Sequence, residues 1–132
     1  MALSGYSGTP LAKKLGIKPG ATLYLDGAPG DYPSEGATIA RRISDRVDLV
    51  HLFTKSAAEL DAKLRRYRDR IRHDAAVWVS WPKNASKVPT DITENVIRDI
   101  ALPLGFVDVK VCAIDHVWSG LKLVIRREHR AL

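Results

Sequence analysis

Two stretches of this chain are apolar on both faces, and one amphipathic helix separates them. Val47–Thr54 reads V-D-L-V-H-L-F-T, interrupted only by Asp48 and His51, and Ala75–Trp81 reads A-A-V-W-V-S-W. A strand apolar on both faces has to be covered on both sides. Between the two runs, Leu60, Leu64, Tyr67 and Ile71 recur at helical spacing over residues 57–72, with charges on the opposite side. Ser56, followed three residues later by Glu59, is a capping box that opens this helix. Strand, helix and strand in this order require a parallel pair joined by a crossover.

The rest of the chain extends that unit. Thr9 is positioned to cap a short helix with Pro10 at its first position and Gly16 at its end, and Lys18-Pro19-Gly20 turns the chain into a first strand, Thr22–Asp26. Gly27-Ala28-Pro29-Gly30-Asp31-Tyr32-Pro33 is a loop. Ile39, Ala40 and Ile43 predict a short helix over Ser34–Ile43, which Gly36 weakens. After Trp81, Pro82 breaks the strand. A polar loop carrying Lys83 and Lys87 leads to a helix over Asp91–Leu102, capped by Thr90 or Asp91, with Asp91 and Glu94 at capping-box spacing. Val107–Ile114 and Leu121–Arg127 alternate apolar and polar residues and are close enough in sequence to form an antiparallel hairpin at a sheet edge. The expected order is β-α-β-α-β-α-β-β. It implies one three-layer α/β domain with a mostly parallel mixed sheet of about five strands over residues 1–132. Residues 1–8 are expected to be mobile, and 128–132 form a charged tail.

Composition excludes several classes. A chain of 132 residues with 45% apolar and 27% charged residues is a normal globular domain. No apolar run reaches the roughly 18 residues of a membrane span, and Met1–Gly8 lacks the pattern of a signal peptide, so a cytoplasmic protein without membrane association is expected. The single cysteine, Cys112, sits in an apolar strand and has no intrachain partner. The His, Cys, Asp and Glu spacings suggest no metal site, and no phosphate-loop motif occurs. Net charge is +6, distributed over Lys13–Lys14, Arg41–Arg42, Lys63–Arg72 and Arg126–Arg130, which favours anionic partners without naming one.

In an open parallel sheet, ligands bind outside the C-terminal strand ends, where helix N-termini favour anions. That edge would collect Gly27, Gly30 and Tyr32 from the first loop, Lys55 from the second, and Trp81, Lys83 and Lys87 from the third. These seven are the candidate ligand-binding residues, for a small anionic molecule. The blander alternative is that Ser56, Thr90 and Asp91 only cap helices and the lysines are solvated. Trp78 reads as core. Trp81 reads as packing or as a stacking surface, and Trp118, in a hairpin loop, as a lid or an interface anchor. His51 reads as a hydrogen-bonded core histidine. His116 beside Asp115 does not by itself make a dyad. On the helix, Arg65, Arg66 and Arg70 are the alternative contact for nucleic acid, but the arginines fan round the polar side and acidic neighbours offset them. Trp118, or the edge of the last strand, is compatible with a homodimer. Three function classes therefore stand: a non-enzymatic binding or interaction module, a nucleic-acid-binding regulator, and a small enzyme. No catalytic residue or cofactor is assigned.

The segments S-G-Y-S-G-T-P-L-A-K-K-L-G-I-K-P-G, W-P-K-N-A-S-K-V-P-T-D-I-T and V-D-V-K-V-C-A-I-D-H-V-W-S-G-L-K-L-V-I-R-R resemble a family of small bacterial proteins of unknown function. That resemblance covers nearly the whole chain, implies a bacterial cytosolic protein and transfers no catalytic residue. The run K-L-G-I-K-P-G-A-T-L-Y-L-D-G, with the C-terminal hairpin, is also similar to the frame of S-adenosylmethionine-dependent methyltransferases. This second resemblance implies a Rossmann-like fold and a cofactor loop after the first strand. Here that loop is D-G-A-P-G-D-Y in place of the family's G-x-G-x-G. Phe53-Thr54-Lys55 stands where an acidic residue for the ribose would be expected.

Overall fold

The computed structural model describes residues 10–129. One six-stranded sheet runs through it. Its strands are β1 (Thr22–Asp26), β2 (Thr38–Ile39), β3 (Leu49–Phe53), β4 (Ala76–Pro82), β5 (Phe106–Ala113) and β6 (Trp118–Ile125). Their order across the sheet is β2-β1-β3-β4-β6-β5. β1 pairs in parallel with β2 and β3, and β3 with β4, while β6 runs antiparallel to both β4 and β5. The mostly parallel mixed α/β sheet expected from the two apolar runs is what forms. β3 and β4 are its central parallel pair, paired from Leu49↔Ala76 to Phe53↔Ser80.

Three helices accompany the sheet: α1 (Leu11–Leu15), α2 (Ala57–Arg70) and α3 (Glu94–Ala101). α2 and α3 cover one face. Leu60, Leu64 and Tyr67 of α2 and Ile97 and Ala101 of α3 pack onto Val50, Leu52, Val77, Val79, Leu121 and Leu123. On the other face, α1 and the loop after β1 enclose Leu23, Leu49, Phe53 and Trp78 with Leu11, Leu15, Tyr32 and Ile114. At the N-terminal end of the sheet, Asp48 ties three segments together. Its carboxylate accepts from the Thr22 amide (2.8 Å) and from Arg72 (2.8 Å). Those bonds, the Thr22 amide first, hold the carboxyl below its ordinary range.

Four expectations are corrected. Residues 34–43 form no helix; Thr38 and Ile39 are instead the short edge strand β2, approached through Gly36 at φ +78°. A left-handed residue cannot continue a right-handed helix, and the apolar spacing of Ile39 and Ile43 alone does not outweigh it. The third helix begins at Glu94, capped by Thr93, whose hydroxyl accepts from the Val96 amide. Asp91 caps a different helix, accepting from the Ala57 amide at the start of α2. In β5, a bulge between Asp108 and Lys110 breaks the alternation expected for Val107–Ile114, so Val109 and Val111 are exposed. Finally, the last strand is internal. Among the described residues the free edges belong to β5 and β2, so a dimer through the edge of the last strand has no edge to use. Thr9 and residues 1–8, like 130–132 of the expected tail, lie outside the described residues; Arg127–His129 form a 3-10 turn.

Candidate functional site

The C-terminal strand ends come together as expected, but their side chains divide between the two faces. β1 ends in Asp26, and Gly27 follows with φ +79°. A Cβ on Gly27 would lie 2.8 Å from the Phe53 carbonyl, so this position must be glycine for the loop to cross the end of β3. Gly30 is exposed; a Cβ there would meet open space. Asp26 is already engaged by α2: Lys63 donates to it (2.8 Å), as does the Tyr67 hydroxyl (2.6 Å). Burial, and then the Asp26 carboxylate, push the Tyr67 phenol far above its ordinary value.

Tyr32 turns inward onto the α1 face. Its hydroxyl is 2.8 Å from His51 Nδ1, and His51 Nε2 is 2.7 Å from Ser80 Oγ. Phe53 stacks on the imidazole at 4.3 Å, and Trp118 meets Phe53 edge-on. His51 and Ser80 are fully buried, and burial alone drives the imidazole pKa down to about 3. Nucleophile-type residues in hydrogen-bond reach of a histidine suggest a catalytic triad, but no substrate reaches this one. A neutral imidazole with both nitrogens partnered and an aromatic ring stacked over it is a structural element. The core reading of His51 holds. Its partners, one in a loop and one diagonally across on the next strand, where Trp78 is the register partner of His51 and Ser80 that of Phe53, carried no sequence signal. Trp78 is core too, its indole N–H donating to the Leu15 carbonyl (2.9 Å). Trp118 is the first residue of β6, half-buried against Phe53.

Trp81 points to the α3 face, opposite Tyr32. An open groove of about 400 Å³ lies beside it, at the end of β4 and the start of α3. Besides Trp81 and Ile92, its lining is polar: Lys83, Asn84, Thr93, Glu94, Asn95, Arg98 and Ser119. Ser119 is the register partner of Trp81 across β4 and β6. Arg98 is held by Glu94 (2.8 Å) and Asp108 (3.0 Å), which keep its guanidinium in place and raise its pKa. The helix amides at Thr93–Asn95 bring the positive end of α3 to the same spot.

Of the seven residues expected to share a ligand, only Trp81 and Lys83 line this groove. Gly27 and Gly30 lie in the loop after β1, and Tyr32 is buried on the opposite face. The Lys55 backbone carbonyl receives the Thr90 hydroxyl (2.7 Å), its side chain being exposed. Lys87 closes the 3-10 turn Asn84–Ser86 in a left-handed conformation, φ 58°. Asn95, Arg98 and Ser119 went unread because α3, β5 and β6 converge there only in three dimensions. On α2, Arg65 pairs with Asp61 (3.0 Å), whereas Arg66 and Arg70 are exposed and in no ion pair among the described residues. Two exposed guanidiniums one helical turn apart are a narrow footprint for nucleic acid. No group of three or more His, Cys, Asp or Glu among the described residues is placed to hold a metal. No helix there is long and apolar enough to cross a membrane.

No protein-family model and no curated protein matches the chain. Solved structures do. A putative type 11 methyltransferase from Sulfolobus solfataricus superposes with a TM-score of 0.65 at 11% identity, over 98% of this chain and 97% of that one. The Methanococcus jannaschii fibrillarin pre-rRNA processing protein gives 0.58 at 10% identity, over 83% and 68%. LepI, solved in complex with SAM, gives 0.58 at 8% identity; this chain spans 39% of its length. At such identities the likeness establishes architecture alone: the chain has the Rossmann-like fold of the S-adenosylmethionine-dependent methyltransferases.

Proposed function

We propose that the chain is a small-molecule binding module on a methyltransferase frame, with its site in the groove between the end of β4 and the start of α3. The observation that carries this reading is the convergence of Trp81, Lys83, Asn95, Arg98 and Ser119 on one open groove at the C-terminal sheet edge. Trp81 is buried and lends the groove a small apolar patch, Lys83 and the α3 amides favour negative charge, and Arg98, paired with Glu94 and Asp108, supplies a fixed hydrogen-bonding guanidinium. The ligand class that fits is an anion carrying a planar or apolar part, such as a phosphorylated or carboxylated ring compound.

The fold implies S-adenosylmethionine, and the residues present do not fit it. The loop after β1 lacks the G-x-G-x-G pattern, and the carboxylate at its start, Asp26, is committed to Lys63 and Tyr67. The strand beside β1, Thr38–Ile39, leads into Ala40-Arg41-Arg42, and β3 leads into Thr54-Lys55. Neither supplies the carboxylate that the resemblance leads one to expect for a ribose.

A thermal-shift screen of nucleotides and small carboxylates tests the proposal. An anionic ring compound is expected to raise the melting temperature, and Lys83→Ala with Asn95→Ala to remove the rise. If no compound stabilises the fold, the reading fails. A second reading, a small methyltransferase, draws on the frame likeness over nearly the full length of the Sulfolobus protein. Stabilisation by S-adenosylmethionine that survives the Lys83 and Asn95 substitutions would favour it.

A further inference from the structure

β5 forms a free edge of the sheet, paired with β6 alone among the described residues. Between this strand and α1 lies a cleft of about 560 Å³, lined by Lys13, Lys14, Lys110, Val111, Cys112 and Ala113. Lys122 adds to it, standing directly opposite Lys110 in the β5–β6 register, with its ammonium 3.7 Å from where a Cβ on Gly16 would lie. Like charges directly opposite across two strands are destabilising, and none of these four lysines belongs to an ion pair among the described residues. The Lys110 ammonium donates to the Lys14 carbonyl (2.8 Å), which fixes its position and leaves its charge uncancelled. Beside the lysines, Val109 and Val111 are 54% and 51% exposed. This edge therefore joins unpaired backbone, bare valines and uncompensated positive charge.

Lysine on an edge strand, with a bulge beside it, prevents two copies of one protein from pairing edge to edge. The same lysines attract a strand of opposite sign. We propose that β5 receives an extended acidic peptide segment of a partner protein as an added strand. The partner's backbone would bond the free edge along Lys110–Ala113, its carboxylates would meet Lys13, Lys14 and Lys110, and its small apolar side chains would cover Val109 and Val111. A second copy of this chain, carrying the same four lysines, is disfavoured by like-charge contact. The proposal is independent of the Trp81 groove, which shares no lining residue with this cleft and draws its polar groups from the turn after β4, the start of α3 and β6.

The test uses the full chain and a fluorescent peptide of about six residues, a typical strand length, alternating Glu and Val. A Glu-only peptide and an N-methylated copy of the alternating peptide serve as controls. The alternating peptide is expected to bind and to slow amide exchange at Lys110–Ala113. N-methylation is expected to weaken binding by about tenfold or more, as is Lys13→Glu with Lys110→Glu. The gentler Lys13→Gln with Lys110→Gln, with an unchanged melting temperature, guards against a folding defect and should weaken binding to a lesser degree. Equal binding of the N-methylated or Glu-only peptide would overturn strand addition, as would no peptide binding. Concentration-dependent protection of β5 without peptide would assign the edge to self-association and overturn it too.

Discussion

Toward α2 and α3, the sheet presents Val50, Leu52, Val77, Val79 and Leu123, all fully buried and all aliphatic. Toward α1, it presents Leu23, Leu49 and Trp78, and among them His51 and Ser80, equally buried. The first face is covered by two helices whose apolar stripes match it. The second is covered by a five-residue helix and a loop, and closes by hydrogen bonds as well as by contact: Trp78 to the Leu15 carbonyl, and Tyr32 to Ser80 through His51. A short helix and a loop offer too little continuous apolar surface to seal a sheet, so aromatic rings and a fully satisfied polar relay take over. Such a relay stabilises only while every member is present.

Truncation in either core should be costly, by different routes on the two faces. Trp78→Ala is expected to lower stability by about 3–5 kcal/mol, and Leu64→Ala by about 2–5 kcal/mol, in urea unfolding. A smaller loss for Trp78→Ala than for Leu64→Ala would show that the α1 face is loosely held.

The relay makes a more particular prediction. His51→Leu orphans the Tyr32 and Ser80 hydroxyls, each at about 1–3 kcal/mol. Replacing all three, with Tyr32→Phe and Ser80→Ala added, should recover part of that loss, because no buried polar atom remains unpartnered. If the triple variant is less stable than His51→Leu, the hydroxyls have other partners.

The same histidine sets a pH dependence. Its folded pKa is depressed to about 3 from the ordinary 6.5, so the unfolded chain binds the extra proton. The stability it contributes is complete above pH 6.5 and is lost as pH falls from 6.5 toward 3, at up to about 1.4 kcal/mol per pH unit. Urea midpoints measured from pH 7 to pH 4 should fall more steeply for the parent protein than for His51→Gln. Parallel curves would mean the imidazole is not buried neutral.

The smallest effects separate the two glycines after β1. Gly27→Ala forces a Cβ against the Phe53 carbonyl at a left-handed φ and should cost about 1–2 kcal/mol or more. Gly30→Ala meets nothing and should stay within about 0.5 kcal/mol of the parent.

The α2/α3 face was legible in the sequence because its pattern is periodic: Leu60, Leu64 and Tyr67 announce their own burial, and the Ser56 hydroxyl accepts from the Glu59 amide. The other half of the expected capping box does not form: the Ser56 amide donates to the Thr54 hydroxyl, which in turn donates to the Glu59 carboxylate. The α1 face was not, since Tyr32 reaches His51 from a loop of glycines and prolines that has no period to follow. Where two signals competed, local spacing misled. Asp91 and Glu94 stand at capping-box distance, yet Asp91 serves α2 across the fold and the cap falls to Thr93. Ile39 and Ile43 imitated a helix that Gly36 forbids. The C-terminal strand ends gather along one edge as the pattern implied, but sequence cannot tell that Trp81 and Tyr32 leave it on opposite faces. The ligand set read along one edge therefore divides into a groove on one side and a packed core on the other.

The three indole N–H resonances report directly on that division. Trp81 borders the groove from the core of the α2/α3 face, Trp78 lies in the core of the α1 face, and Trp118 packs against Phe53. In a ¹H–¹⁵N titration with S-adenosylmethionine and with phosphorylated nucleosides, an anionic nucleoside is expected to move the Trp81 indole and the amides of Lys83, Asn84, Thr93 and Asn95. Residues 27–32 and the other two indoles should stay in place, and S-adenosylmethionine should move nothing. Shifts concentrated at Gly27–Tyr32 and Arg41–Arg42 on adding S-adenosylmethionine would contradict it.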